Sequence, residues 1–348
     1  MRSFLKPAAG LTCLFALAVT GCSSSSDDSS GSAPEASGSA TSTPSASASS
    51  GSSGSSSGTA YAPYVSATTA SDMDGAGSAS TYNLSFAIAK ASTCTPEWNG
   101  TTAIDDSAVK SRISALKTSG ASVRVSFGGA SGKELAQTCT SASALAKAYG
   151  EALDAAGSTQ ADFDIEGDAL TDSTSVALRS KAIALLQKER GGLKVSFTLP
   201  VMPSGLDSDS LALLESANDN AVAVSTVNIM TMNYGESYTG DMGGYAITSA
   251  TATHTQLKKV FGLSDAGAWE GMALTSMLGV NDVSGETFSL SDAAQVRAFA
   301  EAKGVAWVSM WSTFRDQQCE SGSSDDDAAT DCSGVTQAAG AFGEAFAG

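Results

Sequence analysis

The chain has 348 residues, with 36 Asp and Glu against 19 Lys and Arg, a formal net charge of −17 at pH 7 and a pI near 4.3. Nucleic acids bind proteins through clustered Lys and Arg side chains, and no basic residue occurs between Lys6 and Lys90. The composition therefore argues against a nucleic-acid partner.

The N-terminal residues predict export. Arg2 and Lys6 precede the apolar run 8–19, which is too short to cross a bilayer comfortably and is followed by small residues. Val19-Thr-Gly-Cys22 resembles the lipobox of bacterial lipoproteins, in which the cysteine becomes the lipidated first residue. This resemblance implies a lipoprotein signal at 1–21, a lipid anchor on Cys22 and an extracellular position at the bacterial cell surface. An ordinary secretory signal is the alternative.

The next segment, residues 22–58, predicts a disordered linker. It consists almost entirely of Ser, Gly, Ala, Thr and Pro, so it cannot bury enough apolar surface to fold. A flexible coil of this length has a root-mean-square span of roughly 30 to 36 Å. The linker would hold the following domain away from the membrane.

Residues 61–348 predict one domain in which strands and amphipathic helices alternate about eight times. The predicted strands are residues 61–65, 82–88, 122–127, 161–166, 193–199, 224–230, 271–276 and 305–311. The clearest helices are predicted at residues 106–117, 141–156, 173–190 and 290–303. Eight such units predict an α/β fold, a single (β/α)8 TIM barrel; an open doubly wound sheet is the alternative.

Three carboxylates share one face of the fourth predicted strand. Asp162, Asp164 and Glu166 alternate with Phe163 and Ile165, so the acids leave on one side about 6 to 7 Å apart. Like charges held this close raise one another's pKa and cost free energy, which is typical of a working site. Glu166 also ends its strand, where barrel enzymes carry catalytic groups. The alternative is an exposed strand whose acidic face is simply solvated.

Four cysteines of the predicted domain are expected to form two disulfides, because disulfides are permitted in exported proteins. Of the three possible pairings we favour Cys94 with Cys139 and Cys319 with Cys332, since the second would close a short polar loop. Metal ligation is the weaker alternative, because no CxxC spacing occurs and no histidine lies near. The sequence predicts no metal and no cofactor.

Four motifs in order resemble the family 18 glycoside hydrolases, and especially their compact bacterial chitinases. The DxxDxDxE of that family matches residues 159–166 except at Thr159, and its SxGG matches residues 126–129. A Met-x-Tyr of the sixth strand matches residues 232–234, and a tryptophan of the eighth strand matches Trp311. The likeness spans essentially residues 61–316. It implies retaining, substrate-assisted hydrolysis of chitin or of related β-1,4-linked N-acetylglucosamine polymers, in which the sugar's acetamido oxygen attacks the anomeric carbon.

The resemblance also implies residue roles. Glu166 would be the general acid and later the base, Asp164 would orient the acetamido N–H, and Asp162 would share a proton or hydrogen bond with Asp164. Tyr234 would donate its phenol to the acetamido oxygen, and Trp311 would form the floor beneath the sugar. The other substrate-binding candidates are Met232, Asn233, Ser126 and Trp98. Met232 and Tyr234 as core residues, and Trp98 as loop packing, are the alternatives.

The family's deep-cleft members carry an extra α+β domain after the seventh strand, where this sequence has room for one helix only. The resemblance therefore implies a barrel without that insertion, a shallow groove and endo cleavage by a monomer. An Asp is common in relatives at the position of Asn233, and an amide carries no charge. The resemblance therefore implies a shifted pH optimum or a reduced rate. A non-catalytic glycan-binding lipoprotein is one alternative function. Hydrolysis of peptidoglycan or of the N-glycan core is another.

Overall fold

A computed structural model of the chain describes residues 58–322 and 331–348. The predicted signal peptide, Cys22 and the linker up to residue 57 lie outside these residues. Within them, no helix has both the length and the apolar character needed to span a membrane.

Eight parallel strands form a closed barrel, which confirms the predicted (β/α)8 fold and excludes the doubly wound alternative. Neighbouring strands pair in parallel throughout, and the eighth strand pairs with the beginning of the first. The strands are Ala60–Tyr61 continued by Tyr64–Ser66, Thr81–Ala89, Ser122–Gly128, Gln160–Asp164, Lys194–Pro200, Val224–Met230, Met272–Met277 and Trp307–Trp311.

The first strand closes the barrel in two halves. Ala60–Tyr61 pairs with the eighth strand and Tyr64–Ser66 pairs with the second strand. Pro63 lies between the halves and has no N–H, but its carbonyl accepts a hydrogen bond from the Asn83 N–H at 2.9 Å. The sheet therefore has no open edge between strands eight and two.

Helices surround the barrel, and their starts follow local capping signals. The Asp106 carboxylate accepts from the Ala108 and Val109 N–H groups, and the Ser141 hydroxyl accepts from the Ala144 N–H. Each of these two caps is the first residue of a predicted helix. The helices are Ser107–Lys117, Ala142–Ala156, Gly167–Thr171, Ser173–Glu189, Ser208–Asp219, Met242–Phe261, Asp265–Glu270, Leu290–Lys303 and Ala341–Ala347.

The core between sheet and helices is aromatic on one side of the barrel. Phe163 stacks on Phe127 with ring centroids 5.3 Å apart and contacts Phe197 at 5.7 Å. Phe163 and Ile165 thus face the helices, as the alternation with the acids predicted. Their burial fixes the register of the fourth strand, because a slip of one residue would turn the carboxylates outward.

Two features complete the loops at the C-terminal ends of the strands. After the seventh strand the chain forms only a two-stranded ribbon, Gly279–Val280 with Thr287–Phe288, before the helix Leu290–Lys303 begins. The α+β domain of deep-cleft relatives therefore does not occupy this segment.

Disulfides join Cys94 to Cys139 and Cys319 to Cys332, the pairing favoured from the sequence.

Candidate active site

A cavity of about 430 Å³ opens at the C-terminal end of the barrel. The fourth strand ends at Asp164, and the chain stays extended through Glu166, which keeps both carboxyl groups on the interior side. The residues lining the cavity include Tyr64, Phe86, Asp164, Glu166, Thr198, Met202, Asp207, Met230, Met232, Asn233, Asp282 and Trp311. It is therefore the site that the carboxylate column predicted.

Asp162 lies beneath the cavity and is only 1% exposed. One carboxylate oxygen accepts hydrogen bonds from the Tyr64 phenol at 2.9 Å and the Ser126 hydroxyl at 2.6 Å. The other accepts from the hydroxyls of Ser196 and Thr198, at 2.7 and 2.9 Å. Four hydroxyl donors therefore satisfy both oxygens of Asp162.

Asp164 and Glu166 are neighbouring carboxyl groups that both line the cavity. Burial raises the pKa of Asp164 well above its usual range, and the charges of Glu166 and Asp162 add to this effect. Burial also raises the pKa of Glu166, and a side-chain hydrogen bond joins the two groups. The predicted sharing of a proton or hydrogen bond between Asp162 and Asp164 stays a prediction, and the structure adds Glu166 as a carboxyl neighbour of Asp164.

The SxGG segment supports the catalytic strand from the side. The Ser126 hydroxyl is fully buried and holds Asp162, so Ser126 is a support for the carboxylate column and the prediction that it binds substrate is corrected. Gly128 has φ +98°, and the Gly129 N–H donates to the Asp164 carbonyl at 2.9 Å. A Cβ atom on Gly128 would overlap that carbonyl oxygen, which explains why glycine is required there.

The loop after the sixth strand differs from the prediction. Met232 and Asn233 line the cavity, but Tyr234 is buried outside it, with its hydroxyl accepting a long hydrogen bond from Ser249 at 3.4 Å. Its ring packs against Tyr238 and Tyr245. The reason is the left-handed backbone of Asn233, at φ +54°, which ends the extended alternation and turns the next side chain away. The predicted catalytic contact of Tyr234 is therefore corrected.

Asn233 is held in place from the seventh-strand loop. Its side-chain amide donates to the Asp282 carboxylate at 3.2 Å and accepts from the Val283 N–H at 3.4 Å. The buried Glu286 carboxylate accepts from the Gly235 N–H at 2.8 Å. Glu286 thus fixes the loop that carries Asn233. No motif in the sequence identified Glu286 as a functional residue.

We expect Tyr234→Phe to change kcat/KM for chito-oligosaccharides by no more than about threefold, because its hydroxyl is not in the cavity. Tyr64→Phe removes a comparable phenol that donates to the Asp162 carboxylate, and a hydrogen bond to a charged group contributes about 1.5 to 3 kcal/mol. We therefore expect Tyr64→Phe to lower kcat/KM at least about tenfold. Steady-state kinetics of the two variants side by side measure the difference, and a reversed order would restore the Tyr234 assignment.

Aromatic rings line one wall of the cavity. Trp311 stacks on Phe86 with ring centroids 5.5 Å apart and meets the edge of Tyr64 at 5.8 Å. Trp311 therefore lies where the sequence placed it, whereas Phe86 and Tyr64 were missed because each looks like an ordinary apolar strand residue. Trp98 is corrected: it is 0% exposed, and its indole N–H donates to the Ile104 carbonyl at 3.2 Å. It packs the loop beside the Cys94–Cys139 disulfide.

In residues 58–322 and 331–348, no group of three or more His, Cys, Asp or Glu side chains is arranged to hold a metal ion.

The known proteins that the chain resembles are named as chitinases or as a chitinase/lysozyme. No family model matches the sequence. The chain is 35% identical over 275 residues to a probable bifunctional chitinase/lysozyme of Escherichia coli (strain K12), covering 74% of this chain and 31% of that protein. It is 34% identical over 276 residues to Endochitinase 11 of Metarhizium anisopliae, covering 74% of this chain and 52% of that protein. The chain thus spans only about a third to a half of these relatives.

A solved structure resembles the described domain more completely. The catalytic domain of a hyperthermophilic chitinase from Pyrococcus furiosus superimposes with a TM-score of 0.73 and 28% sequence identity. The match covers 82% of this chain and 93% of that domain.

Proposed function

Because this chain belongs to the family 18 glycoside hydrolases, we propose that it hydrolyses β-1,4-linked N-acetylglucosamine polymers, chitin or chito-oligosaccharides. The observation that carries this proposal is the hydrogen-bonded pair of Asp164 and Glu166 in a cavity walled by Trp311 and Phe86. A glycosidase needs a protonated carboxyl group at the scissile oxygen and an apolar surface against the sugar ring.

Glu166 is the proposed general acid. It lies at the mouth end of the carboxylate column, is half-buried, and burial raises its pKa, so a proton is available to the departing sugar oxygen. Asp164 lies deeper and holds the other end of the shared hydrogen bond. When Glu166 has given up its proton, the same carboxylate is placed to accept a proton from the incoming water.

The proposed nucleophile belongs to the substrate. Asp162 is covered by four hydroxyls, and Asp164 is engaged with Glu166, so neither is placed as a free carboxylate beneath the anomeric carbon. Attack by the acetamido oxygen of the same sugar requires no protein nucleophile and retains the anomeric configuration. Asp164 would accept the acetamido N–H once the substrate enters and draws Asp164 away from Glu166.

Asn233 is the proposed contact for the acetamido oxygen in place of Tyr234. Of the two residues that line the cavity just after the sixth strand, Met232 and Asn233, only Asn233 carries a side-chain N–H donor. Asp282 and the backbone of Val283 fix the orientation of its amide. Met232 and Met230 would supply adaptable apolar contact beside it.

Endo cleavage is favoured by the low ribbon at Gly279–Val280 and Thr287–Phe288, because a polymer can lie across a groove without entering by its end. Peptidoglycan is the second candidate substrate, motivated by the chitinase/lysozyme name of the Escherichia coli relative. Export, the lipid anchor at Cys22 and a position at the cell surface are part of the same proposal and rest on the N-terminal sequence alone. Action as a monomer is also proposed.

The test compares chitotetraose, polymeric chitin and peptidoglycan as substrates, with the anomeric configuration of the first product followed by proton NMR. We expect cleavage of the two chitin substrates with the β-anomer appearing first. Binding of chitotetraose without any release of reducing ends over days would favour a glycan-binding protein instead. Release from peptidoglycan alone would move the function to cell-wall hydrolysis.

A pH dependence of stability follows from the carboxyl pair. Burial raises the pKa of Asp164 above the ordinary value of about 3.9, so between these two pKa values the native state binds more protons than the unfolded state. Stability contributed by neutral Asp164 is therefore present at low pH and lost as pH rises through the raised pKa. Asp164→Asn cannot ionise, so we expect the wild type to lose stability relative to this variant as pH rises from about 4 through the raised pKa.

Urea unfolding of both proteins at several pH values measures this difference. Parallel stability curves would mean that Asp164 ionises in the native protein as easily as in the unfolded chain.

A further inference from the structure

A second cavity, of about 440 Å³, lies at the opposite end of the barrel, and we name it the basal cavity. Its lining residues lie at or next to the beginnings of strands, where barrels of this type have no catalytic groups. The residues that line the basal cavity include Ser122, Arg124, Gln160, Lys194, Thr226 and Trp307.

The basal cavity contains positive charge without an anionic partner. Arg124 is 7% exposed and donates to the amide oxygens of Asn83 and Gln160, at 2.7 and 3.1 Å. Its guanidinium carbon lies 4.0 Å from the Trp307 ring centroid. Lys194 makes no ion pair within the described part of the chain, and no Asp or Glu lines the cavity.

Two other arginines each form an ion pair with a carboxylate. Arg179 pairs with Glu134 at 2.8 Å, and Arg112 pairs with Asp74 at 2.9 Å. Arg124 forms no such ion pair, because its hydrogen bonds go to neutral amides at the basal end. Burial lowers the pKa of Arg124, and the charge of Asp162 offsets this effect only in part.

Unused donors face the same region. The indole N–H of Trp307 is buried and has no acceptor. No hydrogen bond joins the Thr226 hydroxyl or the Lys194 ammonium to another described residue, although both groups line the cavity. In a chain with a net charge of −17, two cations and several hydroxyls around one cavity form a local exception to the acidic surface.

We propose that the basal cavity is a binding site for a tetrahedral oxyanion of the size of phosphate, held between Arg124 on its inner wall and Lys194 at its mouth. The anion would supply a negative partner in direct contact, because the hydrogen bonds of the guanidinium go to neutral amides. The Thr226 hydroxyl would donate a further hydrogen bond to it. The site is separate from the carboxyl pair, so binding should not require a glycan.

The experiment measures thermal unfolding of the full chain in inorganic phosphate, up to about 10 mM, against chloride at matched ionic strength. We expect a saturable rise in the unfolding midpoint of about 2 to 4 °C in phosphate. Lys194→Gln should lose at least half of this rise. Lys181→Gln, an exposed lysine on the helix Ser173–Glu189, should keep all of it as the matched control.

Two further variants separate this site from the active site. Glu166→Gln should keep the full phosphate shift even though hydrolysis is lost, and Lys194→Gln should hydrolyse chito-oligosaccharides at the wild-type rate. Arg124→Gln should abolish the phosphate-dependent rise in the unfolding midpoint if this variant folds. If Arg124→Gln does not fold, the result for Lys194→Gln is the test of the proposal. Equal midpoints in phosphate and chloride, or equal phosphate shifts for Lys194→Gln and Lys181→Gln, would overturn the proposal.

Discussion

Glu166→Gln is expected to reduce hydrolysis of chito-oligosaccharides by roughly 100- to 10,000-fold, the usual contribution of a positioned general acid. Glutamine keeps the size of the side chain and its place at the mouth of the column, but it cannot deliver a proton to the departing sugar. It also removes one half of the hydrogen-bonded carboxyl pair. The loss should appear in kcat, while binding of the oligosaccharide changes little.

The matched control is Asp168→Asn, which makes a comparable carboxyl-to-amide change two residues along on an exposed side chain that does not line the cavity. Its activity should stay within about threefold of wild type, because a surface substitution of this kind has little effect. The measurement is kcat and KM for chitotetraose, with thermal unfolding to show that both variants fold. Near-normal turnover by Glu166→Gln would remove Glu166 from the reaction.

Gly128→Ala is expected to destabilise the protein by roughly 2 to 4 kcal/mol and to lower kcat by about 10- to 100-fold. The residue has φ +98°, and its new Cβ would meet the carbonyl of Asp164. Either that carbonyl moves or the loop does, and both would disturb the hydrogen bond from Gly129 that holds the catalytic strand. The effect on rate comes from the displaced carboxyl pair.

Gly120→Ala separates the two causes. Gly120 has a similar φ of +88°, but a Cβ there meets no atom within 4 Å. This variant should cost only the backbone strain, about 1 kcal/mol, and leave kcat unchanged. Urea unfolding and steady-state kinetics of both variants provide the comparison. Equal losses at Gly120 and Gly128 would mean that the contact with Asp164 is unimportant.

The parts of the fold that could be predicted are those with short-range physical causes. Strand alternation has a period of two, so it placed Asp162, Asp164 and Glu166 on one face before any tertiary structure was known. Helix starts were equally local, because the capping side chain lies next to the residues that it caps. The order of eight such units then limited the topology to few choices.

The errors arose where the chain leaves regular structure or where distant strands meet. The role of Tyr234 was taken from the Met-x-Tyr resemblance, which does not show that the left-handed Asn233 turns the next side chain away from the cavity. Trp98 was a sugar-binding candidate with loop packing as its alternative, and the sequence had no local signal for the complete burial that favours loop packing. Tyr64 and Phe86 come from the first and second strands, and their partners are on strands far along the chain. Only barrel closure brings these residues together.

The path of the first strand has a practical consequence. The chain enters the barrel at Ala60, on the strand end opposite to the cavity that contains Glu166. A bead coupled directly at residue 58 or 59 would therefore join the barrel at the end opposite to Glu166. An enzyme immobilised in that orientation would present its groove outward to an insoluble fibre, whereas coupling through the loops that follow the strands would obstruct access.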